Sequence, residues 1–126
     1  MTFKTTLLAS AIAIAPVAAF AADMTIGFSQ IGSESGWRAA ETTVTKQEAE
    51  KRGIDLKFAD AQQKQENQIK AIRSFIAQGV DGILVAPVVA TGWDEVLEEA
   101  ADAEIPVVLL DRTIDAGESL YLTAVT

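Results

Sequence analysis

Apolar residues occur along this chain in two alternating patterns, short continuous runs and helical repeats. Residues 82–86 and 105–110 are continuous apolar runs, the pattern of parallel strands buried on both faces of a sheet. The run at 24–30 predicts a first strand, and the alternation at 54–59 predicts a strand near a sheet edge. A shorter strand is expected at 120–123. The run at 82–86 is expected to be central.

Helices are predicted between these strands. Helix formers fill residues 37–52, where Ala40 and Val44 are the expected inward-facing residues and Gly53 is the expected stop. In residues 64–78 apolar side chains recur every three or four positions, which makes this the clearest helix.

A third helix is expected to begin at a capping box formed by Thr91 and Asp94 and to run to about residue 103. Its predicted buried stripe consists of Val96, Leu97, Ala100 and Ala101. Strands and helices thus alternate, which predicts the α/β class with a doubly wound, Rossmann-like parallel sheet. No helix follows the last predicted strand, so we expect an incomplete domain with one apolar sheet face uncovered.

Composition excludes several classes of function. The 126 residues include no cysteine and no histidine, which excludes disulfides, thiolate or imidazole catalysis and His- or Cys-ligated metals. We therefore expect no metal and no cofactor. The net charge of −8 argues against a nucleic acid partner, because phosphate binding needs clustered Lys and Arg.

The N-terminal residues 1–21 have the features of a secretory signal peptide. A basic residue precedes an apolar run at 7–15, and Ala-Phe-Ala at 19–21 is a small-residue cleavage site. Cleavage after Ala21 would leave residues 22–126 as one exported domain. A transmembrane anchor is the alternative, although the apolar run is short and interrupted by proline.

Polar and aromatic residues follow two of the predicted strands. The loop 32–38 comes after the first strand, and Asp111 and Arg112 close a later apolar run. Because ligands of open parallel sheets bind at the carboxyl ends of the strands, we expect both groups to line one crevice. The indole face of Trp37 suits the apolar side of a small ligand, and a core tryptophan at a helix start is the alternative. Trp93 is expected to pack or to lie at the rim.

The charged residues at this edge are candidates for binding the hydroxyl groups of a ligand. Arg38 and Arg112 offer forked donors, and Asp111 offers an acceptor. A structural ion pair between Asp111 and either arginine is the alternative. Gly32 and Gly36 suggest a phosphate-binding loop, but the required glycine spacing and the Gly-Lys-Ser/Thr ending are missing.

Several stretches together resemble the periplasmic sugar-binding proteins of ABC importers, the type I periplasmic binding proteins. They are IGFSQ at 26–30, GWR at 36–38, QQKQENQI at 62–69, GVDG at 79–82, AP at 86–87 and IPVVLLDR at 105–112. The resemblance covers essentially all of residues 24–126. It implies two similar α/β lobes joined by a hinge, of which residues 22–126 would form an incomplete N-terminal, sugar-binding lobe without the hinge or the second lobe.

The resemblance also implies a function. A non-enzymatic, monomeric binding component would capture a monosaccharide similar to galactofuranose in the periplasm and deliver it to ABC permease subunits. Glu34 and Ser35 become further hydroxyl partners, with a solvated loop as the alternative. The candidate ligand-binding residues are then Glu34, Ser35, Gly36, Trp37, Arg38, Asp111 and Arg112.

Two other functions stay open. An exported carbohydrate-active enzyme, such as a glycosidase, could use Asp111 and Glu34, because glycoside hydrolysis needs two carboxyl groups across one bond. The sensor domain of a sugar-responsive regulator would share the fold, but it should carry a DNA-binding head where this chain has its signal peptide.

Overall fold

The computed structural model describes residues 23–126, so the predicted signal peptide at 1–21 lies outside the described residues. Five strands form one sheet in the order β2-β1-β3-β4-β5, and every neighbouring pair is parallel. They are β1 (Thr25–Gln30), β2 (Asp55–Asp60), β3 (Gly82–Val85), β4 (Val107–Leu110) and β5 (Thr123–Val125). The predicted edge position of β2 and central position of β3 are confirmed.

Three helices connect the strands: α1 (Gly36–Lys51), α2 (Gln65–Gln78) and α3 (Asp94–Asp102). Successive side chains of a strand point to opposite faces of the sheet. On β1, Gln30 bonds to α1, whereas a Cβ on Gly27 would lie 2.4 Å from the ring of Phe75 on α2. Helix α1 therefore covers one face and α2, packed beside α3, covers the other, which confirms the doubly wound fold.

The hydrophobic core lies between the sheet and the pair α2 and α3. Apolar residues of β3 and β4 are buried against this pair: Ile83, Val85, Val107 and Leu109. Trp93 is buried among them and donates its indole N–H to the carbonyl of Val89 at 2.7 Å. Of the two positions expected for Trp93, packing or the rim, the structure shows packing.

Helix α1 faces the sheet with a different side from the one expected. Ala40 and Val44 are exposed, Val44 by 61 %, whereas Arg38 and Ala49 are buried. The prediction failed because Gln30, at the end of β1, offers a polar partner that draws polar residues of the helix inward. Apolar content alone could not indicate that face.

The α1 side of the sheet is covered less completely than the other side. The register pairs Leu84 with Val108 and Leu110 with Val125 on this face. Leu84, Val108 and Leu110 are only half-buried, and Val125 is 60 % exposed. The expected uncovered apolar face is therefore present in the described part of the chain.

Several details differ from the sequence predictions, among them the start of β4 at Val107 rather than at residue 105. The predicted capping box of Thr91 and Asp94 is wrong, because α3 begins at Asp94 with Trp93 as its N-cap, so Thr91 lies two residues before the cap and no side chain caps the helix. Ala101 is exposed, since the inward face of α3 ends with Ala100. Strand β5 begins later than expected, because residues Glu118–Leu120 form a 3₁₀ turn that packs Leu120 against the core.

Among residues 23–126, no helix combines the length and apolar character that crossing a membrane requires.

Candidate functional site

The loop after β1 leads into α1 through a capped first turn. The hydroxyl of Ser35 accepts a hydrogen bond from the backbone N–H of Arg38 at 3.2 Å, which satisfies one free donor at the helix start. A Cβ built on Gly36 would meet no atom within 4 Å. Ser35 and Gly36 therefore form an exposed lip at the carboxyl end of β1, and Ser35 has a structural role as the N-cap.

Strand β4 ends in a tight turn centred on Asp111. The N–H of Arg112 donates to the carbonyl of Leu110 at 2.8 Å, and Asp111 has a φ of 68° in the left-handed region. A three-residue turn of this hand is rare and strained for a residue other than glycine. The N–H of Asp111 donates to the carbonyl of Val125 at 2.7 Å, so the turn is anchored to β5.

Arg38 is the centre of the charged cluster at this edge. Arg38 is only 4 % exposed, and its guanidinium faces three carboxylates. Nη2 donates to Oδ2 of Asp111, Nη1 lies 3.1 Å from Oε2 of Glu41, and Nε lies 3.8 Å from Oε1 of Glu34. Because an unpaired charge is costly to bury, the three carboxylates are what make the burial of the Arg38 guanidinium possible.

The ion pair considered as the alternative for Asp111 is present with both arginines. Besides Arg38, Nε of Arg112 lies 3.6 Å from the same Oδ2 atom. Arg112 also donates from Nη1 to the carbonyl of Val88 at 3.3 Å, while its side chain stays 54 % exposed. Arg112 is thus held at two points and still open to solvent.

Trp37 is 56 % exposed, so the alternative of a core tryptophan is wrong. The guanidinium carbon of Arg38 lies 4.8 Å from the centroid of its ring, a cation–π distance that fixes the ring beside the charged cluster. An aromatic face and a set of charged hydrogen-bonding groups therefore stand side by side. The structure brings all seven candidate residues, Glu34, Ser35, Gly36, Trp37, Arg38, Asp111 and Arg112, to the carboxyl edge of the sheet.

Two residues that support Arg38 were not predicted from the sequence. Gln30 is fully buried at the end of β1, and its Nε2 donates to Oε2 of Glu41 at 2.8 Å and to the hydroxyl of Thr42 at 3.2 Å. The oxygen Oε2 of Glu41 therefore accepts from both Gln30 and Arg38. The i, i+3 spacing of Arg38 and Glu41 on a helix was the available signal.

The glutamine-rich stretch at 62–68 runs from the turn after β2 into the start of α2, and its side chains bond to neighbouring loops. Gln65, Asn67 and Gln68 each donate a side-chain amide hydrogen to a loop carbonyl. A polar cavity of about 350 Å³ opens between this stretch and the loop after β1, lined by Gly32, Ser33, Glu34, Asp60, Gln62 and Gln63. In the described residues, no group of three or more Asp or Glu side chains could hold a metal ion.

Comparison with known proteins places this architecture in a family. The model of the periplasmic binding protein domain matches residues 26–126. The chain belongs to this family, and the resemblance seen in the sequence is confirmed.

Individual relatives are named as binding proteins. The galactofuranose-binding protein YtfQ of Escherichia coli K12 is 68 % identical over 126 residues, which are 98 % of this chain and 40 % of that protein. A crystal structure of a galactofuranose-binding protein superposes with a TM-score of 0.81 at 75 % identity, over 82 % of this chain and 35 % of that one.

A third relative is the periplasmic binding protein component of the arabinose ABC transporter from Shewanella sp. ANA-3, solved with α- and β-L-arabinofuranose. It superposes with a TM-score of 0.79 at 67 % identity, over 80 % of this chain and 34 % of that one. The chain thus spans about 40 % of the length of the curated relative that it matches at 68 % identity.

Proposed function

We propose that this chain forms one wall of a sugar site in the binding component of an ABC importer, and that it captures a monosaccharide in the furanose form. The observation that carries the proposal is the exposed ring of Trp37 beside the ion pair that the buried Arg38 forms with the half-buried Asp111 at the carboxyl edge of the sheet. The names of the E. coli and Shewanella relatives support a furanose as the ligand.

The proposed binding mode divides the sugar between an apolar and a polar contact. The ring of Trp37 would lie against the C–H face of the sugar. Its hydroxyls would accept from Arg112 and Arg38 and donate to Asp111, with Glu34 as a further acceptor at the lip. Because Arg38 already has carboxylate partners, little rearrangement would accompany binding, which favours affinity.

In this proposal the site binds without reacting. Glu34 and Asp111, the pair that a glycosidase would need, both contact the guanidinium of Arg38, so each already has a cationic partner in the free protein. Sugar would be released unchanged to ABC permease subunits, the transient partners. The protein would act as a monomer in the periplasm, exported by a signal peptide that is cleaved after Ala21.

Calorimetric titration tests the proposal, using the protein made from the complete reading frame that contains these residues, here called the complete gene product. We expect saturable binding of galactofuranose or arabinofuranose, much weaker binding of galactopyranose and ribose, and recovery of the sugar unchanged. Absence of binding to every pentose and hexose in either ring form would overturn it. Conversion of the sugar or of an aryl glycoside would favour the enzyme alternative.

Two further observations test the location. N-terminal sequencing of the exported protein should begin at Ala22, whereas retention of residues 1–21 in a cytoplasmic product would favour the regulator alternative.

A further inference from the structure

We propose that Gln68 is a positioning residue for sugar binding, and that it acts by holding Arg112 in the crevice through the loop after β3. This inference rests on the proposed function. Gln68 is hydrogen-bonded to none of the seven candidate residues, so any effect on sugar affinity has to pass through the loop.

Gln68 lies on α2 with no solvent exposure and uses both ends of its amide on this loop. Nε2 donates to the carbonyl of Ala86 at 2.7 Å, and Oε1 accepts from the N–H of Val88 at 2.9 Å. One side chain thus bridges the backbone on both sides of Pro87. A buried amide left without partners is costly, so these two bonds fix the loop and the side chain to each other.

Val88 is the link between Gln68 and the crevice. Its N–H is held by Gln68, and its carbonyl accepts from Nη1 of Arg112 at 3.3 Å. Residues 86–93 form neither helix nor strand, so no regular ladder sets the direction of this carbonyl. The bond from the Val88 N–H to Gln68 fixes the peptide group that precedes this carbonyl, and through it the Gln68 amide helps to orient the carbonyl.

Arg112 depends on its bond to the Val88 carbonyl because its other contact, with Asp111, is long. The side chain is 54 % exposed, and its Nε lies 3.6 Å from the carboxylate of Asp111. A long, exposed side chain has to lose rotamer freedom to bind a ligand, and a fixed acceptor reduces that loss before the sugar arrives. Gln68 would thus raise affinity by preparing Arg112, with no contact to the sugar.

The chain offers a matched control one helical turn away. Gln65, also on α2, donates its amide to the carbonyl of Thr91 at 2.6 Å in the same loop. Its bond is exposed and does not involve Val88. A Gln65→Met substitution removes the same kind of bond to the same loop without touching the contact that holds Arg112.

The experiment is a double-mutant cycle on the complete gene product, with galactofuranose affinity measured by calorimetry and folding followed by thermal unfolding. We expect Gln68→Met to weaken binding about tenfold, in line with the loss of a buried hydrogen-bonded support, and Gln65→Met to leave it within about twofold. In an Arg112→Ala background, Gln68→Met should change affinity by less than about twofold, because the group that it positions is gone.

A loss of affinity of the same size in both backgrounds would overturn the inference, since it would show a general effect on the fold. Unchanged affinity in Gln68→Met would also overturn it. If Gln68→Met does not fold, Gln68→Asn keeps an amide that is one methylene too short to reach both backbone groups, and the same cycle applies to it. Failure of the unsubstituted protein to bind any sugar would instead count against the proposed function.

Discussion

Arg38 and Asp111 form an ion pair across 73 residues of sequence and so join the start of α1 to the end of β4. The contact connects the two crevice walls that the strand order places at one sheet edge, on either side of β3. It also holds the guanidinium of Arg38 close to the ring of Trp37. A pair that holds the fold together at the crevice therefore also arranges the groups proposed to bind sugar.

Replacing Trp37 is expected to weaken sugar binding with little effect on folding, because the ring is 56 % exposed in the free protein. Trp37→Ala should lower galactofuranose affinity about tenfold, which corresponds to about 1.4 kcal/mol of lost apolar contact. Trp37→Phe keeps an aromatic face and should lose less. Val44→Ala, on an exposed apolar residue of the same helix, is the control, and an equal loss there would contradict a stacking role.

Glu41 is expected to support Arg38 through a bond that the sequence did not make obvious. Glu41→Leu leaves Nη1 of Arg38 and Nε2 of Gln30 without this acceptor, so the free energy of unfolding should fall by about 1–3 kcal/mol. Glu41→Gln keeps an oxygen for both donors and should cost less. The measurement is urea unfolding, with Glu50→Leu on the exposed side of α1 as the control. Equal midpoints for the two leucine variants would contradict the role.

Replacing Gly27 is expected to destabilise the core for packing reasons. A Cβ there would lie 2.4 Å from the ring of the buried Phe75, well inside contact distance, so the ring or the strand would have to move. Gly27→Ala should lower the free energy of unfolding by about 1–3 kcal/mol, the usual cost of overpacking a core. Gly36→Ala, where a Cβ meets open space, should leave stability unchanged or slightly raised. Similar unfolding curves for the two variants would refute this.

An ion pair on the surface gives a prediction in pH. The hydrogen bond from Arg73 lowers the pKa of Glu99, so the pair stabilises the folded state above the ordinary glutamate pKa and loses this effect as the pH falls through the lowered value. In Arg73→Met, NMR titration should find the pKa of Glu99 raised toward its ordinary value, with Arg52→Met as the control. Both groups are exposed, so the effect on stability should be small and weakened by salt. If Arg73→Met leaves the pKa of Glu99 unchanged, the bond between the two side chains is absent in solution.

The order of strands and helices was predictable because it depends on patterns with short periods. Continuous apolar runs marked β3 and β4, and the repeat before Gly79 marked α2, whose left-handed C-cap at φ 67° is where the glycine predicts it. The carboxyl-edge position of Asp111 followed from strand direction alone. These inferences needed no knowledge of side-chain partners.

The contacts that depend on distant partners were not predictable from local patterns. The inward face of α1 was misassigned because the buried Arg38 and the half-buried Glu41 face inward through polar bonds to Asp111 and Gln30, which no hydrophobic period reports. The support from Gln68 was missed for a similar reason. In a stretch rich in glutamine, nothing in the sequence indicates that Gln68 bonds to backbone groups of the loop after β3.

A crystal structure of the complete gene product with galactofuranose bound would show whether this edge of the sheet holds the sugar. We expect the sugar at the carboxyl edge of the sheet, with one face on the ring of Trp37 and its hydroxyls within hydrogen-bond distance of Asp111 and Arg112. A sugar bound elsewhere, with these three side chains in solvent, would contradict it.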